Sequence, residues 1–148
     1  MAAIVSTIEI SRSPDEVFAY AVEPANLADW QDNVVSAQPA DDAPLDVGSR
    51  IMTVRRLGKR EQPMTMEMTG YDPPRGWTMK GVDGPIRPLV EVTIEPISEG
   101  SASRVTIALD FEGRGVGKLL VPLFVRPETK RGLPRNLELL KDRVETLA

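Results

Sequence analysis

Residues 3–18 read AIVSTIEISRSPDEVF, and the change of pattern inside them sets how the rest of the chain is read. The first half, residues 3–10, is a β-branched run suited to a strand, because such side chains are stiff and pack well on a pleated surface. The second half turns at Ser13-Pro14-Asp15-Glu16. A Ser N-cap, a Pro at the first helical position and a Glu three residues after the cap form a capping box. The Ser hydroxyl and the Glu carboxylate then satisfy backbone N–H groups that a helix start leaves unpaired. Val17, Phe18, Ala21 and Val22 give that helix an apolar face. Pro24 ends it, and Leu27 and Trp30, three apart, predict a second short helix.

Strand signals follow over residues 33–38, 50–57, 62–71, 76–82, 88–97 and 102–113. Turn chemistry separates them at Gly58, Asp72-Pro73-Pro74, Asp83-Gly84-Pro85 and Glu99-Gly100-Ser101. Connections this short favour neighbouring antiparallel strands. The tail changes period again. Leu133, Leu137, Leu140, Val144 and Leu147 fall at alternating spacings of four and three, one stripe of a helix. The order strand, two helices, six strands, long helix is an α+β pattern, with the last helix free to cover one face of a curved antiparallel sheet. One domain over residues 1–148 is expected.

Composition narrows the chemistry. The chain has no cysteine and no histidine, so no disulfide, thiolate nucleophile, His-based triad or His-ligated zinc site can form. No metal site and no cofactor is expected. The net charge of −4 argues against nucleic acid as a partner. No apolar run reaches the roughly 18 residues that span a bilayer, so stable membrane insertion is not expected. The start, MAAIVSTIEI, lacks the basic segment of a secretion signal, and a cytoplasmic location is expected.

Strand parity sorts the side chains into an oily face and a wet face. Met64, Met66 and Met68 share one face of residues 62–71. Val92 lies on the apolar side of 88–97, and Leu109 and Phe111 on that of 102–113. Trp77 shares parity with Met79. With Met52, five of the six methionines fall in this region. Methionine is unbranched and polarizable and adapts to irregular partners, so the oily face reads either as plain core packing or as a pliable wall around a greasy ligand. Trp30, Leu120 and Phe124 complete the candidate lining. The carboxylates Glu67, Glu91, Glu95, Asp110 and Glu112 are expected to face solvent, which disfavours general acid–base catalysis inside. Candidate polar groups for the cavity are Arg50, Arg55 and Tyr71. Parity over 50–56 is open: either Met52 and Val54 point in, or Ile51, Thr53 and Arg55 do. An inward Arg would suit a carboxylate, phosphate or enolate oxygen. The basic tip Arg55, Arg56, Lys59 and Arg60 reads as a solvated hairpin or as a contact for anionic lipid.

The order and spacing of several short motifs carry a resemblance. Ile10-Ser11-Arg12-Ser13-Pro14-Asp15-Glu16-Val17-Phe18 leads a strand into a Pro-x-Glu-Val-Phe helix. Asn26-Leu27 with Trp30, Val47-Gly48-Ser49-Arg50, Tyr71-Asp72-Pro73-Pro74-Arg75, and Leu139-Leu140-Lys141 with Glu145 follow in order. Over nearly its whole length the chain resembles the START-like, helix-grip (SRPBCC) superfamily, in its polyketide cyclase/dehydrase and lipid-transport branch. The resemblance implies a seven-stranded antiparallel sheet gripping the C-terminal helix, with a cavity between them. Its members include lipid carriers, ubiquinone-binding proteins, aromatases and cyclases, and chaperone-associated domains, so it implies little chemistry.

One departure stands against a single long helix. Pro122, Pro127 and Pro134 fall in its first half, and Gly132 precedes the last of them. An interior proline costs about 3 kcal/mol, so the helix is expected to be well formed only from about residue 134, with Pro134 near its N1 position. The leading functional expectation is a non-catalytic carrier or binder of a small apolar molecule such as a lipid, isoprenoid or polyketide. The alternatives are a cyclase or dehydratase acting by enclosure, and an interaction domain with a filled core that dimerises through 115–131. A homodimer is open in every reading.

Overall fold

The computed structural model describes residues 2–147. Strand β1 (Ile4–Ile10) leads into helix α1 (Pro14–Val22), a 3-10 turn (Pro24–Asn26) and helix α2 (Leu27–Trp30). Six strands follow: β2 (Val34–Pro39), β3 (Arg50–Leu57), β4 (Arg60–Asp72), β5 (Gly76–Gly81), β6 (Ile86–Ile97) and β7 (Ala102–Gly113). The chain ends in α3 (Gly117–Leu120), a π-helical turn (Val121–Val125) and α4 (Arg126–Glu145). All seven strands form one antiparallel sheet in the order β1-β7-β6-β5-β4-β3-β2. β2 to β7 is a plain meander, and α1 and α2 carry the chain from one sheet edge to the other.

The α+β order and the seven strands read from the sequence are those observed. β6 starts at Ile86 rather than 88, with Pro88 inside it. The β5 partner ends at Lys80↔Leu89, so the missing N–H of Pro88 leaves no ladder bond unmade on that side. At the start of α1, the Ser13 hydroxyl oxygen accepts from the Glu16 N–H at 3.4 Å. The Glu16 carboxylate does not reach back to the backbone. It accepts from the Ser13 hydroxyl (3.2 Å) and from Arg12 (3.0 Å).

The gripped helix departs from expectation. α4 runs from Arg126 straight through Gly132 and Pro134, and Pro127, not Pro134, occupies its first turn. The π-helical turn runs straight into α4, with the Arg126 N–H donating to the Val121 carbonyl, so the helical backbone passes through Pro127 without a break. The interior Pro134 costs about 3 kcal/mol. Against this, α4 buries Leu133, Leu137, Leu140 and Val144, at about 1.5–3 kcal/mol each. The irregularity sits one step upstream, where Pro122 lies in the π-helical turn.

The C-terminal end of α4 is tied to β1. The Glu145 carboxylate accepts from the Ser11 N–H (2.8 Å) and from Lys141 (2.6 Å), and Lys141 also donates to the Glu9 carbonyl (2.9 Å). Arg12 caps the helix end by donating to the carbonyls of Glu145 and Leu147. This clamp gives the Leu-Lys-x-x-x-Glu pattern a physical role. The main core lies between α4, α1 and the inner faces of β1, β7, β6 and β5. A second, smaller cluster joins Met64 and Ile86 to Val121 and Val125 of the π-helical turn.

Candidate functional site

Between the sheet and α4 lies a cavity of about 170 Å³. Its walls are laid down by strand parity. β3 contributes Ile51, Thr53, Arg55 and Leu57, β4 Met64 and Met66, and β5 Trp77 and Met79. β6 contributes Ile86, Pro88, Val90 and Val92, and β7 Ile107, Leu109 and Phe111. Trp77 is held by the edge of Phe18, their ring centres 5.4 Å apart at 86°. The rim is polar. It is built by Gln31, Asp32 and Asn33 in the loop after α2, and by Glu128, Thr129 and Asn136 on α4. The Asp32 N–H donates to Asn136 Oδ1 (3.4 Å), and the Asp32 carboxylate pairs with Arg135 at 3.5 Å, so the loop is fastened to the helix.

Nine of the residues named from the sequence meet here: Trp30, Arg55, Met64, Met66, Trp77, Met79, Val92, Leu109 and Phe111. Six do not. On β3 the inward set is Ile51, Thr53 and Arg55, which leaves Met52 half-exposed on the other face and Arg50 in a surface pair with Glu67 (3.4 Å). Thr53 can point inward because its hydroxyl donates to the Met64 carbonyl (2.8 Å). Met68 is buried, but it packs in the main core rather than at the cavity. Tyr71 also packs against the core, 5.7 Å from the Phe18 ring. Leu120 packs on the smaller cluster, and Phe124 projects to the outside, because the π-helical turn presents Val121 and Val125 inward instead. Of the polar rim, Asp32 beside Trp30 reads from the sequence as lying near an entrance, whereas Gln31, Asn33, Glu128, Thr129 and Asn136 do not. The rim's only trace in the sequence is the Gln-Asp-Asn run after Trp30 and an Asn three residues beyond Leu133.

The electrostatic feature of the cavity is Arg55. It donates from Nη1 to Gln31 Oε1 at 2.9 Å, and its Nε is buried with no partner. It makes no ion pair with a carboxylate among the described residues. Burial lowers its guanidinium to about 10. The other buried side-chain nitrogen without a partner is Trp30 Nε1, on the same cavity. Each orphaned donor costs about 1–3 kcal/mol. The lining carboxylates, Asp32 and Glu128, sit on the rim rather than among the apolar walls. A wider, open depression of about 520 Å³ lies between β1 and α4. Its buried cation, Arg126, is already held by Asp110 (2.9 Å) and the Ala2 carbonyl (2.5 Å).

A curved sheet gripping a C-terminal helix around such a cavity is the helix-grip architecture. The chain belongs to the polyketide cyclase/dehydrase and lipid transport family, whose model matches residues 1–145. Solved structures agree on the fold. TTHA0849 from Thermus thermophilus is 20% identical with a TM-score of 0.78, covering 96% of each chain. The Zhui aromatase/cyclase from Streptomyces sp. R1128 is 11% identical with a TM-score of 0.78, covering 97% of this chain and 93% of its own. The di-domain ARO/CYC BexL is 17% identical with a TM-score of 0.75; the match covers 98% of this chain and 47% of BexL. No curated protein matches the chain.

Proposed function

We propose that this protein binds a small, largely apolar molecule carrying one acidic or enolic oxygen, with the apolar body against the methionine and aromatic walls and the oxygen at Arg55. The observation that carries this reading is a half-buried guanidinium lining an otherwise apolar cavity, with one hydrogen bond to Gln31 and no carboxylate in ion-pair contact among the described residues. A charge in low dielectric asks for a counter-charge, and a planar guanidinium matches a carboxylate or an enolate. Trp30, whose Nε1 is buried without a partner, lines the same cavity. The volume sets the scale. About 170 Å³ is close to the roughly 150 Å³ of an engineered cavity that takes benzene, and below the roughly 300–1,000 Å³ of drug-sized sites. A single ring or a short chain fills it as it stands, and larger guests require the flexible Met64, Met66 and Met79 to move.

A second reading is favoured by the same arginine. Held in place, Arg55 would stabilise an enolate as charge develops on it, which is what a cyclase that works by enclosure needs. The aromatase/cyclase neighbours support that reading at the level of the fold.

The test is calorimetric titration with a matched pair, 4-phenylbutanoate and 4-phenylbutanol. The proposal expects the acid to bind at least tenfold more tightly. Equal affinity, or heat from neither, overturns it.

A further inference from the structure

We propose that the end of the molecule formed by residues 116–124 and the β3–β4 tip docks on an anionic lipid surface. Val116, Leu119, Leu123 and Phe124 are each between 60 and 65% exposed. Their spacing of three, four and one places them along one side of α3 and the π-helical turn. The opposite side of the same segment is buried, with Gly117, Val121 and Val125 turned inward. This stretch is therefore apolar on both sides, and only one side has a partner within the chain. The arrangement is built in. A Cβ at position 117 would overlap the carbonyl oxygen of Pro85, so only glycine lets α3 seat on the β5–β6 turn and hold the other side outward.

Charge decides what fits this face. Residues 114–131 hold five basic side chains and one acidic, Glu128; Arg126 is buried against Asp110, and the four exposed cations set against Glu128 and the neighbouring Glu112 leave a surplus of +2 in a chain of net −4. Arg114, Lys118, Lys130 and Arg131 are exposed, and Arg114 pairs with Glu112 at 3.1 Å. Leu57 packs on the cluster containing Val121 and Val125, which brings the exposed Lys59 and Arg60 of the β3–β4 tip to the same end, with Glu61 beside them. A second copy using this face would set positive charge against positive charge. A lipid surface supplies what the face asks for, an apolar interior for the Leu and Phe side chains and anionic headgroups for the Lys and Arg around them. The location adds a consequence. Leu57, Met64, Ile86 and Val125 lie under this face and also line the cavity, so docking would bear directly on the cavity wall. The docking itself stands independently of what the cavity holds.

The experiment is flotation of the full chain with phosphatidylcholine vesicles, with and without 30% phosphatidylglycerol, at low salt. Expected is flotation with the anionic vesicles only, lost in 0.5 M NaCl, and weakened at least tenfold by Leu123→Ser with Phe124→Ser. Both side chains are exposed, so an unchanged thermal melt will show that the variant is folded. Three results overturn the proposal: no flotation with anionic vesicles, equal flotation of the folded variant, or a concentration-dependent dimer that the same substitutions abolish, which would assign the face to a second copy.

Discussion

Replacing Arg55 by Met separates what this residue does for the fold from what it does for a guest. The side chain is half-buried, donates one hydrogen bond to Gln31, and has a buried, unbonded Nε. Burial holds its guanidinium at about 10, more than two powers of ten below its ordinary range, which corresponds to roughly 3 kcal/mol of charging cost in the folded state. For a base whose folded value is lowered, this cost is fully present below about pH 10 and fades as pH rises beyond it. Methionine removes the charge and keeps most of the volume, at the loss of one hydrogen bond of about 0.5–1.5 kcal/mol. Arg55→Met is therefore expected to stabilise the empty protein by about 1–2 kcal/mol at pH 7, a rise of roughly 3–8 °C in Tm. It should also weaken 4-phenylbutanoate by about ten- to a hundredfold, the range of a charge-assisted hydrogen bond, while leaving 4-phenylbutanol unchanged. Urea unfolding followed by tryptophan fluorescence gives the first number and calorimetry the second. A variant destabilised by more than 1 kcal/mol with undiminished affinity for the acid would refute the reasoning, because Arg55 would then be a structural cation satisfied within the chain.

Trp30→Phe deletes the other unpartnered donor and should leave stability within about 1 kcal/mol while weakening the acid in the same titration. Glu145→Gln breaks the clamp between α4 and β1 and should cost about 1 kcal/mol at pH 7. Lys141 and the Ser11 N–H hold the Glu145 carboxyl below its usual range, so this contribution is present above the ordinary carboxylate value and lost as pH falls through the lowered one; the difference in urea midpoint should shrink in acid. Leu140→Ala, at a fully buried position, should cost about 2–5 kcal/mol by the same denaturation. Two glycines on the same arm should answer in opposite directions. A Cβ at Gly132 meets nothing, so Gly132→Ala should gain about 0.5–1 kcal/mol of helix propensity, whereas Gly117→Ala should destabilise and shift α3 off Pro85.

Where side chains alternate cleanly, the sequence was enough. Met64 and Met66, Val92, and Leu109 with Phe111 sit on the cavity face because period 2 is a local property of a strand. Parity over β3 could not be read, since both sets mix apolar and polar residues. It is settled by Thr53 finding the Met64 carbonyl and Arg55 finding Gln31, partners 11 and 24 residues away. Met52 shows the limit of composition: a methionine near others in the chain stands half-exposed on the opposite face. Met68 shows a second limit, because sharing a face with Met64 and Met66 does not say how deep along the strand the cavity reaches. The prolines of the last arm suggested a break at Pro134, but burial of the leucine stripe outweighs the local penalty, and the irregularity falls at the π-helical turn instead. That same turn reverses the expected inward direction of Phe124, a rotation no fixed helical period contains.

The methionines also supply the most direct test. With ¹³C-labelled ε-methyl groups, Met64, Met66 and Met79 report on the cavity, while the exposed Met52 serves as an internal control. Titration with 4-phenylbutanoate is predicted to shift the three cavity methyls together, saturably, and to leave Met52 in place. Shifts at Met52 alone, or none at the cavity methyls at saturating acid, would contradict a guest held between the sheet and α4.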